Sequence, residues 1–148
     1  MRFAVALLAV ATITACAAKE ESAADTTTPA AAAAAPTVAD FAGTWNSMSV
    51  LEGTPDTVKS SLTVMADGTG HMTLEGRPNV AVTTSISGDS LVTQSAEYES
   101  ILQKGVMVTV RTAGVKSGDT MTGRLVATYK KPTGEQIVNG TITSTKAP

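Results

Sequence analysis

Few side chains in this 148-residue chain are equipped for chemistry. There is one histidine, His71, and one cysteine, Cys16. A zinc or copper site needs several nitrogen, sulfur or carboxylate ligands, and His71 has no other histidine or nearby cysteine to help it. It falls beside a turn at an outward position of a period-two pattern, so a solvated histidine is expected. Glu97 and Glu99 flank Tyr98. An extended backbone puts both carboxylates on one face. Such a pair can act as acid and base in glycoside hydrolysis or hold Ca²⁺, and it equally suits a solvated loop. The chain has no nucleophile elbow, no phosphate loop, no metal motif and no Ser–His–Asp set in a supporting context. No enzymatic activity, cofactor or metal is therefore expected.

That leaves Cys16, whose neighbours give it a meaning. It ends the run Ile13-Thr14-Ala15-Cys16, which closes a short apolar stretch, Phe3 to Thr12, behind Arg2. A small-residue cleavage site after such a stretch is a secretory signal, too short to span a membrane as a mature helix. The four residues resemble the lipobox of bacterial lipoproteins: an aliphatic residue, a hydroxyl or small residue, a small residue, then the lipidated cysteine. The resemblance implies a signal peptide over residues 1–15 and a mature chain that begins at acylated Cys16 and is held in the membrane by its N-terminal lipid. At roughly 0.8 kcal/mol per buried methylene, two or three acyl chains make release negligible. Ala17 and Ala18 follow, with no Asp at the second mature position. By resemblance to Gram-negative lipoproteins, this implies the outer membrane, with the domain facing the periplasm. In that setting the glycosylation pattern Asn139-Gly140-Thr141 is incidental.

Residues 16–38 are a different material from residues 39–148. Lys19-Glu20-Glu21, Thr26-Thr27-Thr28-Pro29 and the run Ala30 to Ala35 before Pro36 hold no large apolar side chain. Such a segment buries too little surface to offset its ordering entropy, so a disordered tether is expected. It reaches roughly 70 Å fully extended and averages about 25 Å as a coil.

Residues 39–148 are expected to form one all-β domain. Eight strand candidates stand at even spacing: Gly43 to Val50, Ser60 to Ala66, Gly70 to Leu74, Val80 to Ser87, Ser90 to Ala96, Val106 to Val115, Thr120 to Tyr129 and Gln136 to Thr145. Asp67-Gly68, Gly88-Asp89, Ser117-Gly118-Asp119 and Pro132-Thr133-Gly134 are hairpin turns. Connections this short join antiparallel neighbours, and closure of the meander removes its exposed edges. The expected fold is an eight-stranded antiparallel up-and-down barrel. Period two places Leu62, Val64, Met72, Leu74, Val82, Leu91, Val108, Met121, Leu125 and Ala127 inward. It places Ser61, Thr63, His71, Thr83, Arg111, Thr122, Arg124 and Thr141 outward. A membrane-spanning barrel inverts that arrangement, so no pore is expected. Eleven Lys and Arg against thirteen Asp and Glu give a formal charge of −2, without the basic footprint of a nucleic-acid binder.

Phe41-Ala42-Gly43-Thr44-Trp45 opens the first strand. A Gly-x-Trp there, followed by an antiparallel meander, resembles the lipocalin-like, calycin-type barrels. The resemblance implies that Trp45 plugs the closed end and that an Arg from a late strand, Arg111 or Arg124, packs across it. Avidin-like barrels open with a similar Gly-Thr-Trp, but their ligand box uses several tryptophans. This chain has one, so biotin is not expected.

Two functions are compatible with such a barrel. The first is non-enzymatic binding of a small apolar ligand in the barrel interior by Trp45, Val64, Met72, Val82, Val108, Met121 and Leu125. Ala96 to Gly105 would then form one helical turn across the mouth, a lid made by Tyr98, Ile101 and Leu102 at i, i+3 and i+4; the same stretch equally makes a loop that plugs the core. The second is a solid-core barrel that serves as a structural or protein-interaction module at the cell envelope. Eight-stranded barrels support either.

Overall fold

A computed structural model describes residues 34–148. The signal segment 1–15, the lipidation site Cys16 and the tether as far as residue 33 lie outside the described residues.

Thr37 opens the described fold as the cap of a short 3₁₀ turn, Val38–Phe41. The Asp40 carboxylate accepts from the Thr37 backbone N–H (2.7 Å) and hydroxyl (2.8 Å), and these bonds, the backbone one first, hold its pKa below the ordinary range. Nine strand segments follow: β1 (Gly43–Leu51), β2 (Thr57–Val64), β3 (Thr69–Leu74), β4 (Val80–Ser87), β5 (Ser90–Ser95), β6 (Tyr98–Glu99), β7 (Met107–Ser117), β8 (Thr120–Lys131) and β9 (Gly134–Lys146). Every pairing is antiparallel. Each strand pairs with its successor from β1 to β5 and from β7 to β9, and β1 closes on β9. β5 and the two-residue β6 both pair with β7, one after the other along its length. They act as one interrupted strand, and the result is the closed eight-stranded barrel expected from the sequence.

The turns explain the register. Asp67-Gly68 makes the β2–β3 hairpin with Gly68 at φ +88°, a conformation that side chains other than glycine rarely adopt. Its neighbour Asp67 accepts from the Thr69 backbone N–H at 2.9 Å, and the Gly68 carbonyl accepts from Thr84 at 2.7 Å across the sheet. Gly123 and Gly140 face the interior, Gly123 in phase with Met121 and Leu125 and Gly140 paired with Leu125. A Cβ on Gly123 would collide with the Ala113 carbonyl, and one on Gly140 with the Val50 carbonyl. Missing side chains there let the long strands β8 and β9 coil tightly enough to close the wall.

One local expectation is corrected. Ala96 to Gly105 forms no helical turn; it gives β6 and a non-helical loop. The Ser100 hydroxyl accepts from the backbone N–H groups of Leu102 (3.1 Å) and Gln103 (3.0 Å). The Ser100 N–H donates to the Val106 carbonyl at 2.8 Å.

The core is divided lengthwise. At one end Phe41, Trp45, Leu62, Val64, Val82, Leu91 and Met121 form a buried cluster under the 3₁₀ turn. At the other, Leu51, Val108, Leu125, Ala127 and Tyr129 form a second, flanked by the half-buried Tyr98 and Leu102.

Candidate functional site

Between the two clusters the barrel holds a cavity of about 70 Å³. One wall is aliphatic: Leu62, Met72, Leu74, Val82, Val108 and Leu125. The other is a belt of hydroxyls. β1 contributes Ser47 and Ser49, β2 Ser60, β5 Thr93 and Ser95, and β7 Thr112. Ser47, Ser49, Thr93 and Ser95 are buried. They stand inward because strand residues alternate faces: Ser47 and Ser49 are in phase with Trp45, and Thr93 and Ser95 with Leu91.

Much of the belt satisfies itself. The Ser47 hydroxyl hydrogen-bonds that of Ser144 at 2.8 Å, and Thr93 bonds Thr112 across β5 and β7 at 2.5 Å. The Ser95 hydroxyl accepts from the Val110 N–H at 2.8 Å. Ser49 and Ser60 differ. Neither hydroxyl has a side-chain or cross-strand partner among the described residues, and each borders the cavity. No fully buried polar side-chain atom among the described residues lacks a partner, so these two face open space rather than packed wall.

Two tyrosines guard the open end. Tyr98 pairs with Val108, and Val108 pairs with Tyr129, so the rings stand in one inward row. Burial, with a smaller contribution from the neighbouring Tyr129, pushes the Tyr98 phenol up to about 12. Burial also raises that of Tyr129, partly offset by a hydrogen bond with Ser100. Both are neutral hydrogen-bonding groups at any physiological pH.

The residues expected to bind a ligand divide between the regions. Met72, Val82, Val108 and Leu125 line the cavity, as do Tyr98, Ile101 and Leu102, although no helical turn carries the last three. Trp45, Val64 and Met121 pack in the closed-end cluster instead and do not border the cavity. Trp45 has no exposed surface, and its Nε1–H donates to the Phe41 carbonyl at 2.8 Å. The cations over its ring are Lys116 (6.0 Å) and Lys146 (5.7 Å); Arg111 and Arg124 both point outward and are exposed. Lys116 also lies 5.9 Å from the Phe41 ring and donates to the Asp40 carbonyl at 2.6 Å.

The other candidates have local partners. Glu97 pairs with Lys130, and Glu99 accepts from the Gly105 N–H at 3.0 Å. His71 lies half-buried in the outward row of β3, opposite Thr63 and Ala81. No group of three metal-ligating side chains occurs among the described residues. The hydroxyl belt is the feature that sequence reasoning missed. The signal was there, since period two run forward from Trp45 along β1 puts Ser47 and Ser49 inside, and run backwards from Leu62 along β2 puts Ser60 inside.

No family model matches the chain, and no curated protein matches it. Solved structures of similar outline include the bradavidin2–biotin complex (17% identity over 69% of this chain and 96% of that one, TM-score 0.46). The rhizavidin–biotin complex aligns at 12% identity over 76% and 98%, with a TM-score of 0.48. The intact afifavidin apo form aligns at 14% identity over 70% and 81%, with a TM-score of 0.42.

Proposed function

We propose that the barrel is a non-enzymatic binding protein for a small, largely apolar ligand that carries a hydrogen-bonding group. The observation that carries this reading is the placement of Ser49 and Ser60 around an internal cavity, beside an aliphatic wall. Inward hydroxyls forgo apolar packing, so a barrel built for stability alone would carry aliphatics at these positions. A ligand would fill the open space these hydroxyls face and bond to them. The cavity is well below the few hundred Å³ of a typical small-molecule site, so a ligand larger than a ring-sized fragment must displace the segment that carries Tyr98, Ile101 and Leu102. The same small volume favours the second reading, a filled barrel that docks on an envelope partner.

Titration of the full chain with small alcohols, phenols, terpenoids and fatty acids, followed by the ring resonances of Tyr98 and Tyr129, separates the two. The ligand reading expects saturable shifts at both tyrosines and little change at Trp45. No saturable shift from any compound, with no mass co-purifying in native mass spectrometry, would leave the docking module.

The same proposal places the protein as a lipoprotein on the periplasmic face of a bacterial outer membrane, anchored by lipid on Cys16. The support is the Ile13-Thr14-Ala15-Cys16 run behind an apolar leader. Mass spectrometry of the mature N-terminus should find acylated Cys16. A Cys16→Ser variant that still pellets with membranes would overturn it.

A further inference from the structure

The barrel wall has a gap. The β4–β5 ladder reaches Val82 and Ser95, and the Ala96 N–H makes one more bond to the Ala81 carbonyl at 2.8 Å. Beyond that point the chain leaves β4 and continues as β6, bonded only to β7. Between the start of β4 and β6 lies a cleft of about 390 Å³. Its inner boundary is Leu74 and Tyr98, which also border the internal cavity. The two spaces therefore share these two lining residues.

Arg77, half-buried, sits on the rim of this cleft. A guanidinium has five N–H donors. The Arg77 side chain spends one, from Nη1 to the Glu99 carbonyl at 3.1 Å, and has no carboxylate partner among the described residues. The two acids of the cleft are already engaged, Glu97 with Lys130 and Glu99 with the Gly105 N–H. Arg77 thus keeps unspent donors and no carboxylate partner, which an anionic ligand would supply. A guanidinium beside apolar surface suits a carboxylate, which it holds by two parallel bonds.

We propose that the cleft and the cavity are two compartments of one site, and that its ligand is a short-chain carboxylate with its head on Arg77 and its chain directed past Tyr98 toward the hydroxyl belt. This deepens the small-ligand reading and rests on it. The test is calorimetric titration of the full chain with hexanoate and with 1-hexanol. Wild type should bind hexanoate about tenfold more tightly than hexanol. Arg77→Gln should lose about tenfold or more for hexanoate and leave hexanol unchanged. Ala96→Trp fills the cleft from an exposed position and should weaken hexanoate similarly. Hexanol bound as tightly as hexanoate, or hexanoate unaffected by Arg77→Gln, overturns the carboxylate proposal while small-ligand binding stands. Binding of neither compound by wild type also overturns it. The broader reading falls only if the wider panel of phenols, terpenoids and fatty acids fails as well.

Discussion

The two ends of this barrel are built from the same strands to opposite specifications. At the closed end Trp45 and Phe41 are sealed under a 3₁₀ turn, tied together by the Nε1–carbonyl bond, and roofed by Lys116 and Lys146. At the open end the wall is interrupted between β5 and β6, hydroxyls line a void, and half-buried Tyr98 and Leu102 close it. Packing without voids is where a domain stores stability, and interrupted ladders with exposed loops are where it opens locally. On the function proposed above, folding belongs to one end and binding to the other.

The largest effect should come from attacking the closed end. Trp45→Ala is expected to cost about 3–5 kcal/mol, because it empties a fully buried site and leaves the Phe41 carbonyl without its donor. Leu102→Ala, at a half-buried position in the open-end loop, is expected to cost about 1 kcal/mol. Urea unfolding of both variants compares them. Equal costs would erase the distinction between the ends.

The second effect belongs to the open end and appears only in alkali. The Tyr98 phenol titrates at about 12 in the fold, against 10 for the ordinary group. Below pH 10 both states hold the proton and stability is unchanged. Between about pH 10 and 12 the unfolded chain releases it first, so stability falls as pH rises, by on the order of 2 kcal/mol. Tyr98→Phe should flatten most of that slope in denaturation curves taken at successive pH values, leaving the part due to Tyr129. An unchanged slope would mean that Tyr98 is solvated and the open end loosely closed.

A smaller effect returns to the closed end. Lys116→Gln removes a cation near two rings and weakens the bond to the Asp40 carbonyl, for a loss of about 1 kcal/mol. The loss should appear as a lower urea midpoint, while Arg124→Gln, which lies outward, should move it little.

How much of this the sequence shows depends on which rule each element obeys. Strands, hairpins and the inward aliphatics from Leu62 to Ile142 follow period two and tight-turn chemistry, so they could be placed from the residues alone. Trp45 could be placed at the closed end from the Gly-x-Trp opening. Its cover could not: Lys116 and Lys146 reach the ring through long flexible stems from strand ends, where alternation says little about the head group. Ser49 and Ser60 escaped for another reason. A serine is as much at home on a wet outer face as in a polar interior, so its type is silent and only its phase with Trp45 or Leu62 places it. The cleft was illegible because it arises from a missing partner, β4 without β6, and pairing is not written in either segment alone.

The finest test uses two serines from one strand. Ser47 and Ser49 are adjacent inward residues of β1, and both are buried. Ser47→Ala strands the hydroxyl of Ser144, which is 1% exposed, so it should cost about 1 kcal/mol. Ser49 has no such partner and its hydroxyl faces the cavity, so Ser49→Ala should change stability by no more than about 0.5 kcal/mol, in either direction. Its effect should fall instead on ligand affinity. Urea midpoints measured beside titrations separate the two roles. A Ser49→Ala variant that loses as much stability as Ser47→Ala would make the whole belt structural, and the open end would then be a second core rather than a site.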